Sequence, residues 1–352
     1  MAINIDLLAR ICEAPGAPGY ERKIRELVLK ELDGLADEVR VDNMGNVVAL
    51  KKGRSDKKKC MAAAHMDEIG FIVTHIDDKG FVRFNPVGGF DPKTLTSQRV
   101  IIHGKKDVVG VMGSKPIHIM KPEERNKAVN ISDFFIDTGM SKAALTKQVQ
   151  VGDFITRYSS LMELGDCINV KSLDNRASVF LLIEALRTLK TSRTKPAYDL
   201  YAVFTVQEEV GLRGAQVATI EIQPDFSFGL DTTIAYDVPG SSPQERCTSL
   251  GEGAAIKLMD SSVICDYRMI AFMKKVAKSK KIKWQTEILA AGGTDTAPLQ
   301  RMAAGGSIAG AVSIPTRHIH QTIESCHKKD LEACIKLLAA CVCELDKGDW
   351  KF

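Results

Sequence analysis

Tyr201-Ala-Val-Phe-Thr-Val-Gln-Glu-Glu-Val-Gly-Leu-Arg-Gly214 is the stretch on which the reading of this chain turns. Its apolar run, Tyr201 to Val206, predicts a buried strand, and the adjacent acids Glu208 and Glu209 come where that strand should end. Neighbouring residues on a regular strand face opposite ways. Two adjacent acids can therefore serve one site only where the chain is already turning, and Gly211 and Gly214 are read as supplying that turn. An acidic pair at a strand terminus can bind a metal and move a proton. Taken alone, the stretch fits a solvated loop with two surface acids as well, since acids are mostly exposed.

The rest of the chain decides between these readings. His65 and Asp67 follow the short apolar run Cys60 to Ala64. Asp174 follows Cys167 to Val170, Asp231 follows Phe226 to Leu230, and His320 follows Ser307 to Ile314 and the segment Pro315 to Ile319. Potential ligands thus lie at or just beyond the C-terminal ends of several predicted strands, the edge where open α/β sheets gather their ligands. The donor set is imidazole and carboxylate, with no cysteine required. It suits zinc, cobalt or manganese in a hydrolytic site. Asp174 can bridge two ions, which two-metal sites hold about 3.5–4 Å apart.

His65-Met-Asp67, Asp174-Asn-Arg176, Gln207 to Ala215, Leu230-Asp-Thr232, Gly292-Gly-Thr-Asp295 and Arg317-His-Ile-His320 together resemble the tetrahedral aminopeptidase family. Its members are dinuclear metallo-aminopeptidases that also carry the names glutamyl aminopeptidase and, historically, endoglucanase. The likeness runs in order along nearly the whole chain. It implies that His65 and Asp231 hold one divalent ion, that Glu209 and His320 hold the second, and that Asp174 bridges them. The ions would be zinc or cobalt, with manganese admissible. It makes Glu208 the general base. It gives Asp67 the task of orienting His65, since a ligating histidine usually donates its other N–H to a carboxylate or carbonyl. The substrates implied are peptides with a free N-terminus, hydrolysed at the first peptide bond. One departure lies around His320, where family members often carry an aromatic residue before Ile-His and Ser-Pro after it; here the run is Arg317-His-Ile-His-Gln-Thr-Ile-Glu324. His318 is thereby a second histidine of open role.

Composition agrees with an intracellular enzyme. At 352 residues the chain exceeds the size at which one core stops growing, so two domains are expected. A net charge of +4 is too small to argue for nucleic acid or acidic membranes. The first residues lack the apolar core of a signal peptide, and no stretch reaches the roughly 18 apolar residues of a membrane span. The odd number of cysteines, nine, shows no disulfide-like framework and fits a reducing cytoplasm. Cys334, Cys341 and Cys343 are spaced for helix packing rather than for a metal.

Organisation follows from a break in pattern. Tyr20 to Leu35 carries one helical apolar face of Ile24, Leu27, Val28 and Leu32. Short β-rich segments with turns then run from about 68 to 163, which predicts a small barrel or sandwich. Helical patterning returns at Arg176 to Lys190. The expected fold is therefore α/β, with a small β-barrel or sandwich domain, residues 68–163, inserted in an α/β domain, residues 1–67 and 164–352, which the resemblance implies is a mixed-sheet α/β/α catalytic domain of the zinc-peptidase type. His75, His103 and His118 fall in the insert and are read as structural or surface residues. The resemblance implies that the insert mediates dimerisation and that dimers assemble into a tetrahedral dodecamer. Gly292 to Ala297 lacks the spacing of a phosphate loop and is read as a turn into a helix running to Met302. Beside a deacylase or carboxypeptidase acting at the same dinuclear site, two readings of other classes stay open on sequence alone. One is a glycoside hydrolase using Glu208 with another carboxylate; the other is a catalytically silent binding protein.

Overall fold

The computed structural model describes residues 3–125 and 127–352. Among them an 11-stranded mixed sheet forms the spine of the molecule. Its centre is parallel. Tyr198–Thr205 pairs with Ser55–His65, which pairs with Phe226–Ile234, which pairs with Ile308–Arg317. Cys167–Val170 joins through Glu324–His327, antiparallel to both neighbours, and so runs in the same direction as the central strands. The central strands and Cys167–Val170 therefore deliver their C-terminal ends to one edge, and Glu324–His327 brings its N-terminal end there.

The sheet is buried on both faces because its residues alternate between two cores. Cys60, Ala62 and Ala64 face the larger one, with helices Ile5–Glu13, Leu173–Thr191, Tyr267–Ser279 and Lys328–Glu344. Met61 and Ala63 face the other, with Ala218 and Ile222 of helix Arg213–Ile222 and Leu299 of helix Thr296–Arg301. This is the expected α/β/α sandwich. The small residues of Cys60 to Ala64 let helices approach the sheet closely on both sides. Cys334 and Cys341 are buried along helix Lys328–Glu344.

Strands Gly70–Ile76, Val82–Val87, Arg99–His103, Asp107–Gly113, Phe135–Asp137 and Phe154–Arg157 close into a separate barrel. Its core is its own, built on Phe71, Val73, Val82, Phe84, Val100, Ile102, Ile136 and Ile155. The barrel form is thereby settled over the sandwich. Met162 and Glu163, which the pattern break grouped with the insert, lie in strand Met162–Leu164 and pair with Asn169 and Ile168 in the large sheet. His103 is buried between Asp107 and Thr156, whereas His75 and His118 are exposed.

Helix Arg22–Glu31 is shorter than the amphipathic stretch Tyr20 to Leu35, but Ile24, Val28 and Leu32 are buried as its period requires. Gly229 marks the tightest helix–sheet contact near the functional edge. A Cβ there would lie 2.9 Å from Thr296 Cβ, closer than real Cβ atoms come to a neighbour, and a tight 3.1 Å from its Cα. Helix Thr296–Arg301 would have to lift from the strand. Gly229→Ala is therefore expected to destabilise the protein by about 1–3 kcal/mol through overpacking. Urea unfolding followed by circular dichroism measures it, and wild-type stability would show that the helix is not fixed against this strand.

Candidate metal centre

His65 is the last residue of its strand, and the acids reach it from three other segments. Its Nε2 lies 3.4 Å from Asp174 Oδ1, 3.7 Å from Glu208 Oε2 and 3.8 Å from Asp231 Oδ1. Its Nδ1 lies 3.1 Å from the main-chain carbonyl of Asp67. A carbonyl only accepts, so Nδ1 carries a proton, and Nε2 is the ring atom turned to the carboxylates. His320 Nε2 lies 3.4 Å from Asp174 Oδ2 and 3.4 Å from Glu209 Oε2. The two oxygens of Asp174 are thus divided between two histidines. Every residue expected at the site from sequence converges here, Asp67 by way of His65 and the two glutamates.

Asp231 corrects one detail. It lies inside strand Phe226–Ile234, not past its end. It is still available, because pairing with Ser55–His65 stops at Gly229 while pairing with Ile308–Arg317 continues. The strand parts from one neighbour, and Asp231 faces the gap. The turn at the glutamates also differs from the glycine reading. Gln207 takes φ +54°, Gly211 φ +125° and Leu212 φ +57°, and Glu208 O accepts from the amides of Gly211 and Leu212. Gly214 lies within helix Arg213–Ile222, where a Cβ would strike Val206 and Asn46. Its service is close approach rather than turning.

Two carboxylates hold the acids in place from behind. Asp67 is fully buried; Oδ1 accepts from the amide of Glu208 at 3.0 Å and Oδ2 from that of Glu209 at 3.1 Å. Its carbonyl therefore orients His65 while its carboxylate fixes the acidic pair. Glu324 accepts from the amides of Asp174 and His320. Asp295, in the segment Gly292 to Asp295, is buried and accepts from Thr205 Oγ1. Sequence reasoning missed these tasks of Glu324 and Asp295. Only the position of Asp295 in a quoted motif was a signal, and nothing local marks Glu324. His318 is exposed.

The electrostatics call for cations. Burial, then the charges of Asp231, Glu209 and Asp295, push the Glu208 carboxyl well above its usual range against the pull of His65. Burial and Asp174 do the same to Asp231. Burial raises Asp295 to about 6, and burial with the Asp174 charge raises Glu324 to about 8. Burial works against charge on the imidazoles too, yet Glu209 and Asp174 outweigh it and raise His320 to about 11. Acids this crowded draw positive charge. Glu209 Oε1 is in addition buried with no hydrogen-bond partner. Donor atoms of His65, Asp174 and Glu209 lie within 4.8 Å of one another, as do those of His65, Glu208 and Asp231. Imidazole and carboxylate in this number fit divalent zinc, cobalt or manganese.

The cluster lines a cleft of about 810 Å³. Gly292, Gly293 and Thr294 form one wall, and Gly89, Phe90 and Asp91 enter from a barrel loop. Lys257 also lines it, with its ammonium held by Asp260 at 2.9 Å and Glu287 at 3.0 Å.

Comparison with known proteins agrees with this geometry. The family model described as M42 glutamyl aminopeptidase matches residues 45–337. The lysyl aminopeptidase of Pyrococcus furiosus is 33% identical over 357 residues, covering 99% of each chain. The structure of an aminopeptidase from the archaeon Desulfurococcus kamchatkensis superposes with TM-score 0.92 at 36% identity, covering 97% of this chain and 94% of that one. The Pyrococcus horikoshii TET1 peptidase, which can assemble into a tetrahedron or a large octahedral shell, superposes with TM-score 0.86 at 31% identity, covering 97% and 99%. The chain therefore belongs to the M42 glutamyl aminopeptidase family, and it is a hydrolase of the exopeptidase class.

Proposed function

We propose that this chain removes single residues from free peptide N-termini at a centre of two divalent ions, with Glu208 as general base. The observation that carries the reading is the division of Asp174 between His65 and His320. His65 and Asp231 would hold one ion, Glu209 and His320 the other, and Asp174 both. Zinc or cobalt suits this donor set best, and manganese is compatible. Bound divalent ions lower the pKa of water towards about 7 and polarise a carbonyl oxygen. Glu208 takes a proton from the attacking water and returns one to the leaving amine. Asp67, through the amides of Glu208 and Glu209, keeps the base and its neighbouring ligand in fixed relation. The substrate's α-ammonium would sit among the carboxylates that line the cleft and mark the N-terminus.

Residues 68–163 are inferred to act as the dimerisation unit, with dimers building a dodecamer. Val109 and Val111 on one barrel strand, with Ile117 and Ile119 beyond it, are exposed apolar residues available for such contacts. All nine cysteines are free, in keeping with a cytoplasmic setting. Among the described residues no helix is long and apolar enough to cross a membrane. A glycoside hydrolase would have no use for His65, Asp231 and His320 gathered around Glu208.

Three outcomes are expected. Glu208→Gln lowers turnover about 10²–10⁴-fold with both ions retained; the donor atoms of Glu208 are close enough to serve as a ligand, so loss of an ion on metal analysis would reassign it. Asp174→Asn weakens both ions, whereas Asp231→Asn and Glu209→Gln each weaken mainly one, as read by metal content after dialysis. The third concerns substrate. An N-acetylated peptide should resist cleavage while its unblocked twin loses residues one at a time in a mass-spectrometric time course, because an unpaired buried charged partner costs about 1–3 kcal/mol or more. Internal cleavage of the blocked peptide, or release of sugars from cellulose, would sink the aminopeptidase reading.

A further inference from the structure

Glu324 lies outside the set of candidate ligands, yet it touches the backbone of two of them. It is fully buried, at the start of strand Glu324–His327. Oε2 accepts from the Asp174 amide at 2.9 Å, and Oε1 accepts from the His320 amide at 2.8 Å. These amides belong to segments far apart in the chain, one opening a helix and the other following a strand. The carboxylate is the hydrogen-bonded link between them.

The surroundings explain why a link is needed. His318 and His320 take φ +61° and +66°. Residues other than glycine hold that conformation only where their surroundings fix it. The Oε1 bond fixes it at His320. Glu324 itself stands on a firm base, since Asn169 Nδ2 donates to Ile323 O at 2.7 Å, to Glu324 O at 3.2 Å and to Ser325 Oγ at 2.8 Å.

We propose that Glu324 is a positioning residue that sets the separation of Asp174 from His320 and so builds the site of the ion shared by Asp174, Glu209 and His320. The inference rests on the two-ion reading above. Two of the three ligands of that ion hang from Glu324, but only Asp174 among the ligands of the other. Loss of Glu324 should therefore weaken one ion more than the other. A residue needed only for folding would not split them.

The test uses Glu324→Gln in the full chain. The amide keeps the size and one acceptor but turns an NH₂ group towards one of the two main-chain donors. Wild type and variant are stripped with chelator and titrated with Co²⁺, following metal content and the Co²⁺ visible spectrum. Wild type should bind two ions per chain. The variant should bind the first with wild-type affinity and the second about 10–100-fold more weakly, the usual effect of removing a group that orients ligands. Its kcat should fall at limiting Co²⁺ and recover at high Co²⁺, with KM for an unblocked peptide unchanged. Glu324→Ala, lacking both acceptors, should widen the gap. Wild-type affinity for both ions in Glu324→Gln, parallel weakening of both, or failure of its metal-free form to fold by circular dichroism would overturn the proposal. A single ion in the wild type would instead overturn the two-ion reading on which it stands.

Discussion

Crowding acids in a buried space is the constraint on which this structure depends. Asp174, Glu208, Glu209 and Asp231 face one another within a few ångströms of His65 and His320. Burial and mutual repulsion both oppose that arrangement. The fold answers with geometry first. Parallel strands bring several chain segments to one edge without any one of them having to bend towards the others. It answers next with main-chain hydrogen bonds. Asp67 pins the amides of the glutamate pair, and Glu324 pins those of Asp174 and His320. These holding groups are carboxylates too. They spend their oxygens on backbone N–H groups and add rigidity, whereas, among the described residues, the oxygens of Asp174, Glu208 and Glu209 accept from no main-chain amide and face the cluster.

A buried ionic frame beneath the site carries the same logic further. Lys171 Nζ bonds both oxygens of Glu68, and Ser172 Oγ donates to one of them. Arg176, fully buried, donates to the carbonyls of Met66, Ile11 and Ala14. The N-terminal helix, the segment after His65 and the helix that begins beside Asp174 thereby become one unit. Such a network adds little net stability over apolar packing, but breaking it from one side costs about 3–5 kcal/mol. Its value here is register, since His65 and Asp174 lie on the segments it ties together.

How much of this was legible in the sequence depends on the range of the interaction. Apolar runs gave the strands because burial is a property of the local pattern, and residues at their ends gave the inner acids and histidines. Asp231 was found for the right reason but misplaced, because a strand can part from one partner while staying paired to the other, and pairing is not local. Gly214 reads as a turn residue in sequence, yet its conformation is helical; only the proximity of Val206 explains it. Glu324 was invisible because its partner Asp174 lies in a distant segment, and a buried glutamate on a short strand has no pattern of its own. The β-rich stretch was legible as a change of period, whereas the return to the large sheet at Met162–Leu164 was not, since three residues cannot show which sheet they join.

The position of the barrel has a consequence for the cleft. The chain leaves the large sheet just after His65 and Asp67 and returns to it just before Cys167, so the insert is rooted beside the ligands. Its loop Gly89 to Asp91 then reaches the cleft without passing through the main core. Phe90 is stacked on Phe71 of the barrel interior at 4.3 Å, and the Arg157 guanidinium lies over the Phe90 ring at 5.6 Å. That wall is therefore braced by a core separate from the one that holds the acids. Changes in the barrel loop or in Gly292 to Thr294 can reshape what the cleft admits while leaving the Asp67 and Glu324 hydrogen bonds untouched. The barrel-loop side of the cleft and the acid cluster thus rest on different packing units, and the cluster need not change for that side of the cleft to do so.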